Sequence, residues 1–203
     1  MYSHFVKRIL DIIFSLIILP FLLILIISVG TIIKLEDKGT IFYFSNRIGK
    51  DGKIFNMFKF RSMKVDAPDI RLKDGSTFNS EDDPRVTNIG KFLRKTSIDE
   101  IPQFLNVLFG QMSLIGPRPF VPVDMPINES DDYIMRLSVK PGITGYTQAY
   151  YRNSITQQEK IQKDAYYARY ISVKLDLRIF LKTIVTVLQR KNIYVNKQEE
   201  NNE

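Results

Sequence analysis

Residues Ile12 to Ile33 read IIFSLIILPFLLILIISVGTII, 22 residues without a charge. About 20 apolar residues suffice to cross the hydrocarbon core of a bilayer as a helix. The run is too long for a secretory signal, and no small-residue cleavage site follows it. Two topologies stay open. A plain spanning helix puts its ends on opposite sides of the membrane, whereas a re-entrant hairpin returns both ends to one side. Pro20 removes an intrahelical hydrogen bond and can bend the helix, although spanning helices tolerate proline. Both flanks are basic, with Lys7 and Arg8 before the run and Lys34, Lys38 and Arg47 after it. Basic flanks tend to stay on the cytoplasmic side, which favours the hairpin. Residues 1–35 are therefore expected to form a membrane anchor broken near Pro20. Residues 36–195 would form one cytoplasmic domain, and 196–203 a disordered polar tail.

Composition narrows the chemistry. The chain has no cysteine, so disulfides, thiolate metal sites and a thiol nucleophile are excluded. Its one histidine, His4, lies beside the N-terminus and reads as a solvated flanking residue. Carboxylates, Arg, Lys and Tyr must then carry any catalysis. The net charge of +7 favours anionic partners such as acidic lipids and nucleotide phosphates. A bilayer-length apolar run among the basic residues argues against nucleic acid. No internal repeat, Walker A loop, Gly-x-Gly-x-x-Gly or zinc-finger spacing is present.

Beyond Ile33 the period changes. Ile41-Phe-Tyr-Phe44 and Ile54-Phe-Asn-Met-Phe58 flank turn chemistry at residues 45–52. That pattern predicts a β-hairpin with its tip near Gly49 to Gly52. It delivers Lys59 and Arg61, and alternate spacing puts both cations on one strand face; a solvated edge strand gives the same pattern. Residues 64–88 read as a polar surface loop. Within it Glu81-Asp82-Asp83 lacks alternate spacing and precedes a proline, so it reads as solvated loop acids rather than a metal cluster. A short helix opens at Thr87-Asn88 and runs through Arg94. Residues 120–138 read as a loop and a short helix ending near Leu137, and 140–146 as a Pro/Gly loop. Residues 156–170 form a helix ending in tyrosines, and 173–190 an amphipathic one. The last carries Leu177, Phe180, Leu181, Ile184 and Leu188 on one stripe between Lys174, Arg178, Lys182 and Arg190. Such a stripe suits a membrane surface or an ordinary core contact. The fold class expected is α+β and mainly helical. An N-terminal re-entrant or spanning helix, a short β-hairpin and amphipathic interfacial helices would surround a small globular domain.

The chemistry is expected in the stretch from Thr96 to Phe109. Asp99 and Glu100 are adjacent carboxylates, preceded by Lys91, Arg94 and Lys95. Ile101, Phe104, Leu105, Leu108 and Phe109 follow with helical spacing. Gly110 should end that helix, and Gly116-Pro-Arg-Pro119 follows. An acidic pair among cations suits an anionic substrate with a divalent metal. Ser97-Ile-Asp-Glu100 also fits a capping box with Ser97 as N-cap. Arg118, held between two prolines, has a preset backbone that suits a phosphate clamp or a plain structural turn.

Taken together, these motifs resemble the small monotopic phosphoglycosyl transferases, also known as bacterial sugar transferases. The resemblance runs from Lys7-Arg-Ile-Leu-Asp11 to about Arg190. It rests on Phe58-Lys-Phe-Arg-Ser-Met63, Asp83-Pro-Arg-Val-Thr87 with Ile89-Gly90, Ser97-Ile-Asp-Glu100, Asn106-Val-Leu, Met112-Ser-Leu-Ile-Gly-Pro-Arg-Pro119, Lys140-Pro-Gly-Ile-Thr-Gly145 and Tyr166-Tyr167. The chain departs from that family in having Leu19 rather than Ser before Pro20, and Tyr146 where many members carry Trp. The resemblance implies transfer of a sugar phosphate from a UDP-sugar to undecaprenyl phosphate, with release of UMP. That would be the first membrane step of an O-antigen, capsule, exopolysaccharide or glycoprotein glycan, at the cytoplasmic face of the bacterial inner membrane. It implies Asp99 as nucleophile through a covalent aspartyl phosphosugar, and Glu100 as ligand of Mg²⁺, with Mn²⁺ as a substitute. Lys59, Arg61, Arg94, Arg118 and Arg152 would hold phosphates, and recognition of the sugar falls to residues 64–86 and 120–135. Two other functions fit the residues: a glycosyltransferase that moves only the sugar and releases UDP, and a non-catalytic membrane-anchored scaffold. Membrane lipids are expected partners, and an anchored enzyme could pair with itself through its helices.

Overall fold

The computed structural model describes residues 2–70, 78, 80, 82–122 and 130–189, without the side chains of Ser3 and His4. The expectations for His4, Glu81, Arg190 and the tail from Asn196 lie outside the described residues, as do parts of both loops assigned to sugar recognition.

A short π-helical turn, Tyr2–Val6, leads into α1, Lys7–Asp37. At 1.5 Å per residue its 31 residues span about 46 Å, long and apolar enough to cross a membrane. Two expectations are corrected. The helix runs through Pro20 without breaking, and it continues two residues past the boundary placed at 35. Proline removes only one hydrogen bond, and neighbouring contacts restrain the helix: Leu22 is fully buried, and Leu19 packs on the same cluster. Left-handed Lys38 ends α1 (φ 59°), donating its N–H to Lys34 C=O.

Both ends of α1 are fastened to one globular body. Near its start, Lys7 Nζ donates to Asp176 Oδ2 at 2.6 Å, and the Arg8 guanidinium donates to the carbonyls of Val107 and Leu108. Asp11 Oδ1 accepts from Ser113 Oγ and from Leu114 N–H. At the other end Glu36 accepts from the N–H groups of Asn88 and Ile89, and Asp37 pairs with Arg61. Between them Leu22, Val29 and Ile33 pack with Phe60 and Leu93. Contacts at both ends and along its length thus lay α1 against this body. The opposite face, including Ile17, Phe21, Ile24 and Ile27, stays exposed.

The hairpin forms as the sequence predicts. β1, Phe42–Ile48, pairs antiparallel with β2, Ile54–Phe60, in the register Phe42 to Phe60 and Ile48 to Ile54. Asp51 (φ 55°) and Gly52 (φ 75°) supply the left-handed tip. β1 extends into residues read as turn because Ile48 is buried and donates its N–H to Phe120 C=O.

α2, Asn88–Thr96, is capped by Thr87 Oγ1 accepting from Gly90 N–H, and Ser97 ends it in the left-handed region (φ 58°). The expected helix through Ile101 to Phe109, with Ser97 as its N-cap, is corrected. Residues Ile98–Glu100 form one 3-10 turn, and α3 covers only Gln103–Leu108. Ser97 makes no side-chain cap there, so the capping box is absent. Pro102 has no N–H to give a carbonyl one turn back, so a helix begun at Ile98 would carry it in its interior. The buried side of α3 is Gln103, Asn106 and Val107, whereas Phe109 is exposed.

Two three-residue strands, β3 Ser113–Ile115 and β4 Gly142–Thr144, pair in parallel where the sequence reads as rigid loops. Their glycines permit the approach: a Cβ on Gly142 would lie 2.1 Å from Gly116 N. α4, Asp131–Leu137, and α5, Tyr146–Tyr150, flank β4 in sequence. α6, Gln157–Arg169, starts with a capping box between Thr156 and Glu159. α7, Val173–Gln189, turns Asp176 and Ile179 inward, and Thr183 and Thr186 bond to Thr144 and Ala149. Its apolar stripe is outside: Leu177, Phe180, Leu181, Ile184 and Leu188 are all exposed. The Phe180 ring lies 6.4 Å from Phe14 of α1. The exposed apolar faces of α1 and α7 thus adjoin, a surface that suits lipid better than water.

Candidate active site

Four elements converge on the 3-10 turn that carries Asp99 and Glu100. Lys59 comes from β2, next to the end of the hairpin. Its Nζ donates to Glu100 Oε1 at 2.8 Å. Arg118 comes from the loop after β3, and its Nη2 reaches the same oxygen at 2.8 Å. Arg94, on the last turn of α2, donates Nε–H to Ser62 Oγ at 3.0 Å and lies close enough to act on Asp99. Arg152 follows α5 in a left-handed conformation (φ 51°) and feels the charges of both Glu100 and Arg118.

The two carboxylates are treated differently. Asp99 is 8% exposed and, among the described residues, accepts no hydrogen bond. Burial pushes its pKa up to about 6; the Lys59 charge opposes this, and the neighbouring Glu100 charge adds to it. Glu100 is held well below the usual carboxylate range. Burial works against its ionisation, but Arg118 and Lys59 together outweigh that. At neutral pH both are ionised, yet only Asp99 is uncommitted. A buried carboxylate with free lone pairs, set among cations, can attack an electrophile that those cations hold.

Arg61 does not join this group, which corrects the expectation that it shares a phosphate-binding face with Lys59. Arg61 lies one residue past β2 and keeps its backbone register, with its N–H bonded to Ile41 C=O, but its side chain is drawn to another element. Its guanidinium is committed to Asp37, with Nη1 to Oδ2 at 2.7 Å, and its Nε–H to Thr40 C=O at 2.6 Å. Asp83 is likewise no solvated loop acid. It is 1% exposed and pairs with Arg85, Nη2 to Oδ2 at 2.7 Å.

The roles of two supporting residues escaped the sequence reading, although Asn106-Val-Leu is among the motifs that carry the resemblance. Arg136 of α4 is buried against Asp164, lies 3.5 Å from the centre of the Phe120 ring, and donates to the Arg118 carbonyl. It fixes the backbone of the cation that meets Glu100. Asn106 of α3 bonds to the backbone of β2. An asparagine inside an apolar helical run was the available signal, since that residue is unfavourable there without a partner.

Among the described residues no group of three or more His, Cys, Asp or Glu is placed to hold a metal. Two adjacent carboxylates nevertheless fit Mg²⁺, which commonly takes one or two carboxylates and completes its shell with waters and substrate phosphates.

Comparison with known proteins gives the family. A family profile described as bacterial sugar transferase matches residues 2–190. The chain is 46% identical over 197 residues to a galactosyl transferase CpsE of Streptococcus agalactiae serotype III (strain NEM316), covering 92% of this chain and 43% of that protein. It is 41% identical over 189 residues to a UDP-N-acetylgalactosamine-undecaprenyl-phosphate N-acetylgalactosaminephosphotransferase of Aeromonas hydrophila, covering 91% and 44%. It is 40% identical over 198 residues to a UDP-glucose:undecaprenyl-phosphate glucose-1-phosphate transferase of Klebsiella pneumoniae, covering 93% and 41%. The chain belongs to the bacterial sugar transferase family. It spans about two-fifths of the length of these relatives.

Proposed function

We propose that the chain is a phosphoglycosyl transferase that moves a sugar 1-phosphate from a UDP-sugar to undecaprenyl phosphate and releases UMP. The observation that carries this reading is the pairing of a buried, uncommitted Asp99 with a Glu100 held by two cations. An Asp99 oxygen attacks the sugar-side phosphorus of the donor. The bond from that phosphorus to the bridging oxygen breaks, and UMP leaves. An oxygen of undecaprenyl phosphate then attacks the same phosphorus and frees Asp99. Splitting the transfer in two lets two bulky phosphorylated substrates use one site in turn.

Charge decides whether such an attack is possible. A carboxylate approaching a diphosphate meets like-charge repulsion, which Lys59, Arg94, Arg118 and Arg152 offset. Mg²⁺, held by Glu100 and the diphosphate, would supply further neutralisation; Mn²⁺ could replace it. The exposed faces of α1 and α7 would seat the protein at the cytoplasmic face of the inner membrane, bringing the site to an acceptor that stays in the lipid. The named relatives act on different sugars, so the donor is defined here as a UDP-sugar.

Product analysis tests the reaction class. With a panel of UDP-sugars, undecaprenyl phosphate and Mg²⁺, phosphosugar transfer releases UMP. Release of UDP would instead establish transfer of the sugar alone, and turnover of any donor excludes the scaffold reading.

A further inference from the structure

Asn106 lies inside α3 and is fully buried. Its amide is spent on another element. Oδ1 accepts from Phe58 N–H at 2.9 Å, and Nδ2 donates to Asn56 C=O at 2.7 Å and to Gln111 Oε1 at 2.7 Å. In the hairpin, Arg61 N–H bonds to Ile41 C=O, continuing the register of β1 and β2. Odd-numbered residues therefore turn their backbone groups toward β1, and Asn56 and Phe58 turn theirs to the free edge. The Asn106 amide meets that edge as a neighbouring strand would. Gln111 Oε1 takes the second Nδ2 proton and so fixes which way the amide faces.

Lys59 follows Phe58 directly, and Glu100 lies six residues before Asn106 on the same segment. A one-residue slip in β2 would turn Lys59 to the opposite face of the strand. We propose that Asn106 is a positioning residue, which fastens the free edge of β2 to α3 and thereby sets Lys59 against Glu100. The inference rests on the reading of Asp99 and Glu100 as the reacting pair.

A double-mutant cycle tests it. Asn106→Ala, Lys59→Met and the double variant are compared by UMP release per folded molecule. A misplacement of about 1 Å can reduce turnover roughly 100-fold, so Asn106→Ala should lower kcat between 10- and 100-fold. The double variant should be little worse than Lys59→Met alone. Losses that multiply independently would overturn the proposal. Should Asn106→Ala fail to fold, Asn106→Asp keeps the volume and sets an oxygen against two acceptors; it must show the same dependence on Lys59. A second readout needs no turnover. In protein labelled with ¹⁵N-lysine, the Lys59 Nζ resonance is assigned by its loss in Lys59→Met. It should shift in either Asn106 variant, and an unmoved resonance overturns the proposal even if wild type releases no UMP. That last result would count separately against the assigned reaction.

Discussion

Replacing Asp99 with Asn should make the protein more stable while ending its turnover. The carboxyl is buried, and its pKa in the fold is about 6, against an ordinary value of 3.8. At 1.36 kcal/mol per pH unit, that gap puts the cost of ionising Asp99 inside the fold at roughly 3 kcal/mol. The sign follows from proton uptake. Between pH 3.8 and about 6 the folded protein keeps a proton that the unfolded chain has released, so raising the pH through this window destabilises the fold. Asn carries no charge to ionise and escapes the penalty. Its advantage should therefore be small near pH 4, grow through pH 6 and level off above it. For a domain of this size 1 kcal/mol moves Tm by about 2–4 °C, so a gain of roughly 6–12 °C is expected at pH 7.5. Thermal unfolding of both proteins in the same detergent, from pH 4.5 to 8, reads this out, with membrane association checked alongside. An Asn variant that is less stable at pH 7.5, or whose gain does not change with pH, would refute a costly buried charge at Asp99.

Three other outcomes follow from the structure. Arg61→Leu breaks a charged pair with Asp37 and should cost about 2 kcal/mol of stability, while activity per folded molecule stays near wild type; a large loss of donor affinity would return Arg61 to the site. Chelation of Mg²⁺ should stop UMP release without lowering Tm, since the described residues offer no cage for a structural ion; a fall in Tm of several degrees would reveal one. Phe180→Asp and Leu181→Asp alter residues that are 43% and 54% exposed. They should weaken sedimentation with vesicles containing anionic lipid and leave unfolding almost unchanged, whereas marked destabilisation would mean that the stripe packs against protein.

Elements with local signals were legible in the sequence. The hairpin, α2, α6 and α7 announce themselves by turn residues, Thr caps and helical spacing. Most of what failed depended on partners distant in the chain. Periodicity found the stripe on α7 but could not say that Asp176 and Thr183, not the leucines, face inward; that choice is made by Lys7 and Thr144. Arg61 looks equivalent to Lys59 by alternation, yet Asp37 at the end of α1 takes its guanidinium. Asp83 sits in a polar run that reads as solvated, and its burial follows from the fork it makes with Arg85. β3 and β4 are too short to show a period and exist because the Gly116 and Gly142 backbones can touch. Asp99 and Glu100 stood out as a pair among cations. Only the fold shows that Lys59 and Arg118 spend themselves on Glu100 and leave Asp99 unbonded among the described residues.

The nucleophile is best tested by trapping it. Wild type and Asp99→Asn are incubated with a turned-over UDP-sugar and Mg²⁺ but no undecaprenyl phosphate, quenched in acid, digested and examined by mass spectrometry. The proposed mechanism predicts a sugar phosphate on the peptide containing Asp99 in wild type, with stoichiometric UMP, and neither product in the variant. An unmodified Asp99 peptide from an enzyme that turns over with acceptor, or an adduct that persists in Asp99→Asn, would contradict it.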